Sequence, residues 1–164
     1  MRAELIVDEI KKQGATHIVG LPDNGARSLF EALWRDPDLD VVMVTREGEA
    51  FAIATGLYLG GKHPVVVIQN TGFFEAGDAF RGMAQNMGVP LVMILGYRGY
   101  KSLAPGAPKV DTAASFFEPT LKAWNIPYSL LTCDGEVTEQ IDAAFRKAAA
   151  TSLPAAVLLT VETT

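Results

Sequence analysis

Four short polar segments interrupt otherwise apolar stretches of this chain, and each holds residue types able to do chemistry. The first, Leu21-Pro-Asp-Asn-Gly, offers Asp23 and Asn24. Pro22 and Gly25 suit a tight turn, and Asp or Asn there can cap the next helix. The other use is a carboxylate presented to a ligand. The second segment, Arg46-Glu-Gly-Glu, sets Glu47 just after an apolar run and at a helix start. The helix dipole alone favours an acid at that position. A carboxyl there could instead exchange a proton with a bound base. The third, Gln69-Asn-Thr-Gly-Phe-Phe-Glu, sends two amides and a hydroxyl out of a buried strand together. They serve either as helix caps or as groups that orient a polar ligand, with helix N–H groups nearby for an anion. The pair Phe73-Phe74 suits core packing and a partner or cofactor surface about equally. The fourth segment, Arg98 to Asp111, carries Arg98, Lys101 and Lys109 on a long loop rich in Pro and Gly. Such loops are either solvated or act as lids and anion contacts.

The elements between these segments must hold them in place. Ala3, Ile6 and Ile10 share one helical face, and Gly14 stops that helix. His17 to Leu21 reads as a short buried strand, and Ala26 to Trp34 as a helix with Leu29, Phe30 and Leu33 inward. Val41 to Thr45 reads as a strand. Glu47 to Gly60 reads as a helix whose inner stripe is Ala50, Ile53, Ala54 and Leu57. A strand over Pro64–Gln69 precedes a helix from about Glu75 to Met87, with Ala76, Ala79, Phe80, Met83, Ala84 and Met87 at helical spacing. Pro90 to Gly96, Pro127 to Leu131 and Ala155 to Leu159 read as strands, and Phe117–Trp124 and Val137–Ala148 as helices. Strands without polar alternation are covered on both faces, as in parallel sheets. The alternation predicts a three-layer α/β/α sandwich around a mostly parallel six-stranded sheet with right-handed crossovers. Ligands then sit beyond the carboxyl ends of the strands. The informative loops are Leu21–Gly25, Thr45–Glu49, Gln69–Glu75 and Gly96–Asp111.

Composition narrows the class. The chain has 164 residues, 49% of them hydrophobic and 20% charged, enough for one globular domain with a real core. Lys plus Arg is 14 and Asp plus Glu 19, a formal charge of −5, which argues against a nucleic-acid binder. The single cysteine, Cys133, forms no intrachain disulfide and fits a reducing compartment. No apolar run is long enough to cross a bilayer, and acids stand where a signal peptide needs an apolar stretch. A cytoplasmic protein is expected. P-loop, Gly-x-Gly-x-x-Gly and Gly-x-Ser-x-Gly signatures are missing, and two histidines with one cysteine give no metal cluster. His17 is expected to be structural and His63 to lie in a surface turn.

Taken together, the second and third segments resemble the pyrimidine-binding domain of thiamine-diphosphate enzymes. The pattern is a strand, a Glu, then a small-residue helix with a Gly nine residues on, here Glu47 and Gly56 in Arg46-Glu-Gly-Glu-Ala-Phe-Ala-Ile-Ala-Thr-Gly. Gly61-Lys-His-Pro-Val-Val-Val-Ile-Gln-Asn-Thr-Gly resembles the next strand and its loop, and Gly88-Val-Pro-Leu-Val-Met-Ile-Leu-Gly the one after. Within that superfamily, Gly20-Leu-Pro-Asp-Asn and Gln69-Asn-Thr-Gly resemble the Gly-x-Pro-Asp-Ser and Gln-Asn-Ser-Gly of sulfopyruvate decarboxylase α subunits and phosphonopyruvate decarboxylases. The resemblance covers nearly the whole chain and implies that residues 1–164 form one pyrimidine-binding domain.

The resemblance implies that Glu47 binds a ring nitrogen of the cofactor's aminopyrimidine and so activates it for attack on a 2-oxo acid. It implies that Asn70, Thr71 and Gly72 line the cofactor cleft. Asp23, Asn24 and Arg98 would meet substrate. Two departures stand out. Bulky Phe73, Phe74 and Glu75 replace a small turn, and an extra carboxylate at Glu75 would repel a sulfonate or phosphonate tail, which favours a less anionic or larger 2-oxo acid. Gly77-Asp78-Ala79 is not the Gly-Asp-Gly motif that holds diphosphate through Mg²⁺. A second, diphosphate-binding β subunit holding Mg²⁺ is therefore expected, in a hetero-oligomer of the α₂β₂ type or a multiple of it. The expected reaction is decarboxylation of a small 2-oxo acid. The alternatives are a carboligase or lyase subunit of the same superfamily, or a non-catalytic regulatory subunit.

Overall fold

The structure is a computed structural model that describes all 164 residues. Its short apolar runs form β1 (His17–Gly20), β2 (Asp40–Met43), β3 (Pro64–Gln69), β4 (Val92–Gly96), β5 (Tyr128–Leu131) and β6 (Ala155–Leu159). They pair into one all-parallel sheet in the order β2-β1-β3-β4-β6-β5. Alternate strand residues point to opposite faces. Ile18, Val65, Val67, Ile94 and Val157 pack under α1 (Ala3–Lys12), α2 (Arg27–Arg35) and the long C-terminal helix Val137–Thr151. Val19, Val66, Ile68, Met93 and Leu158 pack under α3 (Glu47–Leu59), α4 (Asn70–Glu75) and the helix Phe117–Ala123. The expected three-layer α/β/α sandwich is therefore what forms.

The chain leaves β1 for β2 on one side and then crosses to β3 on the other. The strand order reverses between β1 and β3, which opens a crevice at their carboxyl ends. Gly20 closes the last rung of that pair. A β-carbon there would lie 2.9 Å from the Val67 carbonyl carbon, so only glycine lets the two strands approach.

Three local expectations are corrected. The segment after β3 is not a loop, because α4 starts at Asn70 directly from the strand. The expected helix from Glu75 is broken into a short turn, Gly77–Ala79, and a π-helical stretch, Phe80–Gln85. The wider π turn keeps Phe80 and Ala84 in the core but rotates Met83 and Met87 outward. The buried Thr55 hydroxyl of α3 donates to the Met83 carbonyl in that stretch (3.2 Å). On α3 itself the buried residues are Ala50, Phe51, Ala54 and Thr55, while Ile53 is exposed and Leu57 half-buried. This helix is apolar nearly all round, so spacing alone could not choose its inward face. The edge strand β2 is only half covered, with Met43 exposed.

Candidate active site

α3 begins where its sequence dictates. Glu49 folds back on the turn before it. Its carboxylate accepts the Thr45 N–H (3.0 Å), the Thr45 hydroxyl (3.0 Å) and the Arg46 N–H (3.1 Å). These three donors hold Glu49 below the usual carboxylate range, the Thr45 N–H foremost. Arg46 reaches the other way, to Glu75 at the end of α4, with Nε at 3.0 Å from Oε1. The second oxygen of Glu75 accepts the Gly48 N–H (3.1 Å), one of the first-turn donors a helix cannot satisfy itself. The Arg46 guanidinium, then the Gly48 N–H, hold Glu75 below its ordinary range. Arg46 and Glu49 are thus committed elsewhere, and Glu47 between them has no partner in either.

The Glu47 side chain instead lies against Gly72 of α4. A β-carbon on residue 72 would fall inside contact distance of Glu47 Cγ, Cδ and Oε1. Glycine at 72 is what makes room for the carboxyl, so the two residues meet.

The other expected residues divide. Asn70 is fully buried and not at an open cleft. Its amide donates to the carbonyls of Arg98 (3.1 Å) and Ala113 (3.0 Å), and its oxygen accepts the Thr71 N–H (3.0 Å). A polar group buried this deeply must be paired, and Asn70 pairs by tying down both ends of the loop that follows β4. Thr71 is half-buried and donates its hydroxyl to Gln69 Oε1 (2.8 Å). Phe73 is core, edge-on to Phe51 and Phe117 and tilted against Phe80, at 5.2–6.2 Å between ring centres. Glu75 is no free carboxylate facing a substrate, because Arg46 neutralises it. Tyr97 is also buried. Its hydroxyl donates to the Ala114 carbonyl and Glu118 (both 3.2 Å), and burial with that carboxylate raises its pKa.

Asp23, Asn24 and Arg98 come together around a cavity of about 650 Å³ at the switch point between β1, β3 and β4. Asp23 Oδ1 caps the chain entering α2, accepting the N–H groups of Gly25 (2.6 Å) and Ala26 (3.2 Å). Its Oδ2 is buried and has no hydrogen-bond partner. That oxygen lies over Gly96, where an added β-carbon would be 3.2 Å away. An orphaned buried carboxylate oxygen is costly unless something completes it. Arg98 is exposed at the rim and loosely paired with Asp111 (3.8 Å).

Two residues of the polar segments also line it: Lys101 adds a second cation beside Arg98, and Gln69 contributes its amide, while Thr160 and Glu162 just past the end of β6 escaped the sequence reading. Thr71 takes the Gln69 oxygen, which leaves the Gln69 –NH₂ as a donor. Glu47 does not line this cavity. The Gln69–Gly72 segment adjoins both, with Gln69 on the cavity and Gly72 on Glu47.

His17 is buried at the far end of β1, 3.5 Å from Asp40, and His63 is exposed beside it. No helix is long and apolar enough to cross a membrane.

The family described as "Thiamine pyrophosphate enzyme, N-terminal TPP binding domain" matches residues 2–116. The chain is similar to the sulfopyruvate decarboxylase subunit alpha of Methanocaldococcus jannaschii, 27% identical over 77% of this chain and 75% of that one. The corresponding protein of Methanococcus maripaludis is 27% identical over 59% of this chain, and the match spans 58% of its own length. The phosphonopyruvate decarboxylase of Streptomyces viridochromogenes is 31% identical over 52% of this chain, which covers 22% of that protein.

Proposed function

The chain belongs to the thiamine pyrophosphate enzyme family through its N-terminal TPP binding domain, and from that premise we propose that it is the pyrimidine-binding subunit of a two-chain 2-oxo acid decarboxylase. The observation that carries the reading is Glu47 seated on Gly72, its carboxyl oriented by packing and left without a partner in its flanking residues. When bound, thiamine diphosphate supplies a nucleophilic carbon and an electron sink for the electrons that a departing carboxylate leaves behind.

The residues fit the aminopyrimidine end of that group. Glu47 would meet a ring nitrogen of that group and share a proton with it, and the space left by Gly72 admits the Glu47 carboxyl there. Asp23 uses its orphaned Oδ2 to accept a donor from the bound substrate or to hold a proton there. Gln69 and the rim cations Arg98 and Lys101 orient the substrate's negative groups. With Glu75 neutralised by Arg46, nothing acidic from α4 opposes a 2-oxo acid with a second anionic group, the class named in the similar proteins. The whole chain, 1–164, serves as one such domain.

The residues do not fit the diphosphate end. No group of three or more acids, histidines or cysteines converges to hold a metal, and Asp78 pairs with Arg81 on the surface (2.6 Å). A β subunit that holds Mg²⁺ and diphosphate is the reading this supports, and similar proteins named as alpha subunits point the same way. Exposed Ile53 on α3 and Met83 on the adjoining π stretch offer such a subunit apolar surface to cover. Assembly is of the α₂β₂ type or a multiple, in the cytoplasm.

The test is carbon dioxide release from a panel of 2-oxo acids, with thiamine diphosphate and Mg²⁺, by the chain alone and with a co-expressed diphosphate-binding subunit. Activity is expected only in the mixture. Glu47→Gln in the assembled complex is expected to lower turnover by about 100-fold or more. Full turnover by that variant overturns the assignment.

A further inference from the structure

We propose that Glu75 is a positioning residue for Glu47, acting with Arg46 as a latch between α3 and α4. The proposal rests on the reading of Glu47 given above. Glu75 and Gly72 stand three residues apart on α4, so they share one face of that helix. Gly72 receives the Glu47 side chain. Glu75 receives the backbone next to it, accepting the Gly48 N–H at 3.1 Å through Oε2. Its other oxygen takes the Arg46 guanidinium, whose Nε lies at 3.0 Å. The residues before and after Glu47 are therefore both tied to one carboxylate on the helix that carries its seat.

Stability does not account for this arrangement. The Arg46 side chain is 74% exposed, and an ion pair so open to water adds little to folding. Its effect is on geometry. Glu49 closes the turn before α3 by taking the N–H groups of Thr45 and Arg46, whereas Glu75 takes the Gly48 N–H inside the first turn. What Glu75 adds is the link to α4, which fixes where the first turn of α3 sits relative to Gly72. Displacing a reacting group by about 1 Å can lower turnover roughly 100-fold.

The experiment compares Glu75→Ala, Glu75→Gln, Arg46→Met and Glu47→Gln in the assembled enzyme. Gln at 75 has one acceptor oxygen and can take the Gly48 N–H or the Arg46 guanidinium but not both, so Glu75→Gln is expected to fall between the parent and Glu75→Ala. Glu75→Ala and Arg46→Met are expected to lower kcat by about tenfold or more with KM for the 2-oxo acid unchanged. A second readout needs no turnover. Amide hydrogen exchange at Gly48 in the full chain is expected to quicken in Glu75→Ala while exchange in the central strands holds. If Glu47→Gln is inactive but Glu75→Ala equals the parent in turnover and exchange, the latch is overturned and the reading of Glu47 stands. If Glu47→Gln is fully active, that reading fails and the latch has nothing to position.

Discussion

The carboxyl of Glu47 occupies the volume that a side chain on Gly72 would need, so the two residues share one site across α3 and α4. Residue 72 is thereby fixed as glycine by its neighbour's side chain and not by its own backbone.

Gly72→Ala is therefore expected to push Glu47 aside without unfolding the chain. Turnover of the assembled enzyme should fall by roughly 100-fold. The half-saturating concentration of thiamine diphosphate should rise, with melting temperature largely kept. Measuring both on one preparation checks it. A variant with unchanged cofactor affinity would show that Glu47 tolerates displacement.

Asn70 predicts a stability effect instead. Asn70→Ala removes the donors to the Arg98 and Ala113 carbonyls from a fully buried position. Leaving such groups unpaired costs about 1–3 kcal/mol each. Chemical denaturation should show a loss of that order. Hydrogen exchange should rise through residues 98–113 more than in the sheet.

Asp23 separates its two oxygens. Asp23→Asn keeps the cap on Gly25 and Ala26 and should leave stability nearly intact, whereas Asp23→Ala should cost about 1 kcal/mol. Both should lower decarboxylation, because both remove the unpaired Oδ2. Parent-like kcat/KM in Asp23→Asn would show that this oxygen takes no part.

The α3–α4 junction also predicts an acid limit. Glu49 and Glu75 are both held below their ordinary 4.5, Glu49 foremost by the Thr45 N–H and Glu75 foremost by Arg46. A carboxylate with a lowered folded pKa stabilises above the unfolded value, and loses that contribution as pH falls through the folded one. The melting temperature should therefore stay level above about pH 5 and fall below it. In Glu49→Gln the fall should be shallower. An equal slope in parent and variant would contradict the assignment.

The strands were legible in the sequence because each is a short apolar run between polar breaks. Their alternation with helices leaves few topologies open. Glu47 stood out because a carboxylate follows a buried strand at a helix start, nine residues before Gly56. Asn70 misled, since an amide leaving a strand can face a ligand or tie down backbone, and residues 98 and 113 are distant in sequence. Phe73 and Glu75 misled for the same reason. One enters an aromatic cluster with Phe51, Phe80 and Phe117, and the other pairs with Arg46, 29 residues away. The inward face of α3 was hidden by its uniform apolarity.

The sequence by itself determined the sheet and its layers, because apolar spacing and helix-start preferences act over a few neighbouring residues, and it singled out Glu47 through the family pattern it forms with Gly56. Only the tertiary structure decided which polar groups stay free. Burial and pairing depend on what packs across the fold, and that is how Glu47 and Asp23 Oδ2 keep open valences while Asn70 and Glu75 do not.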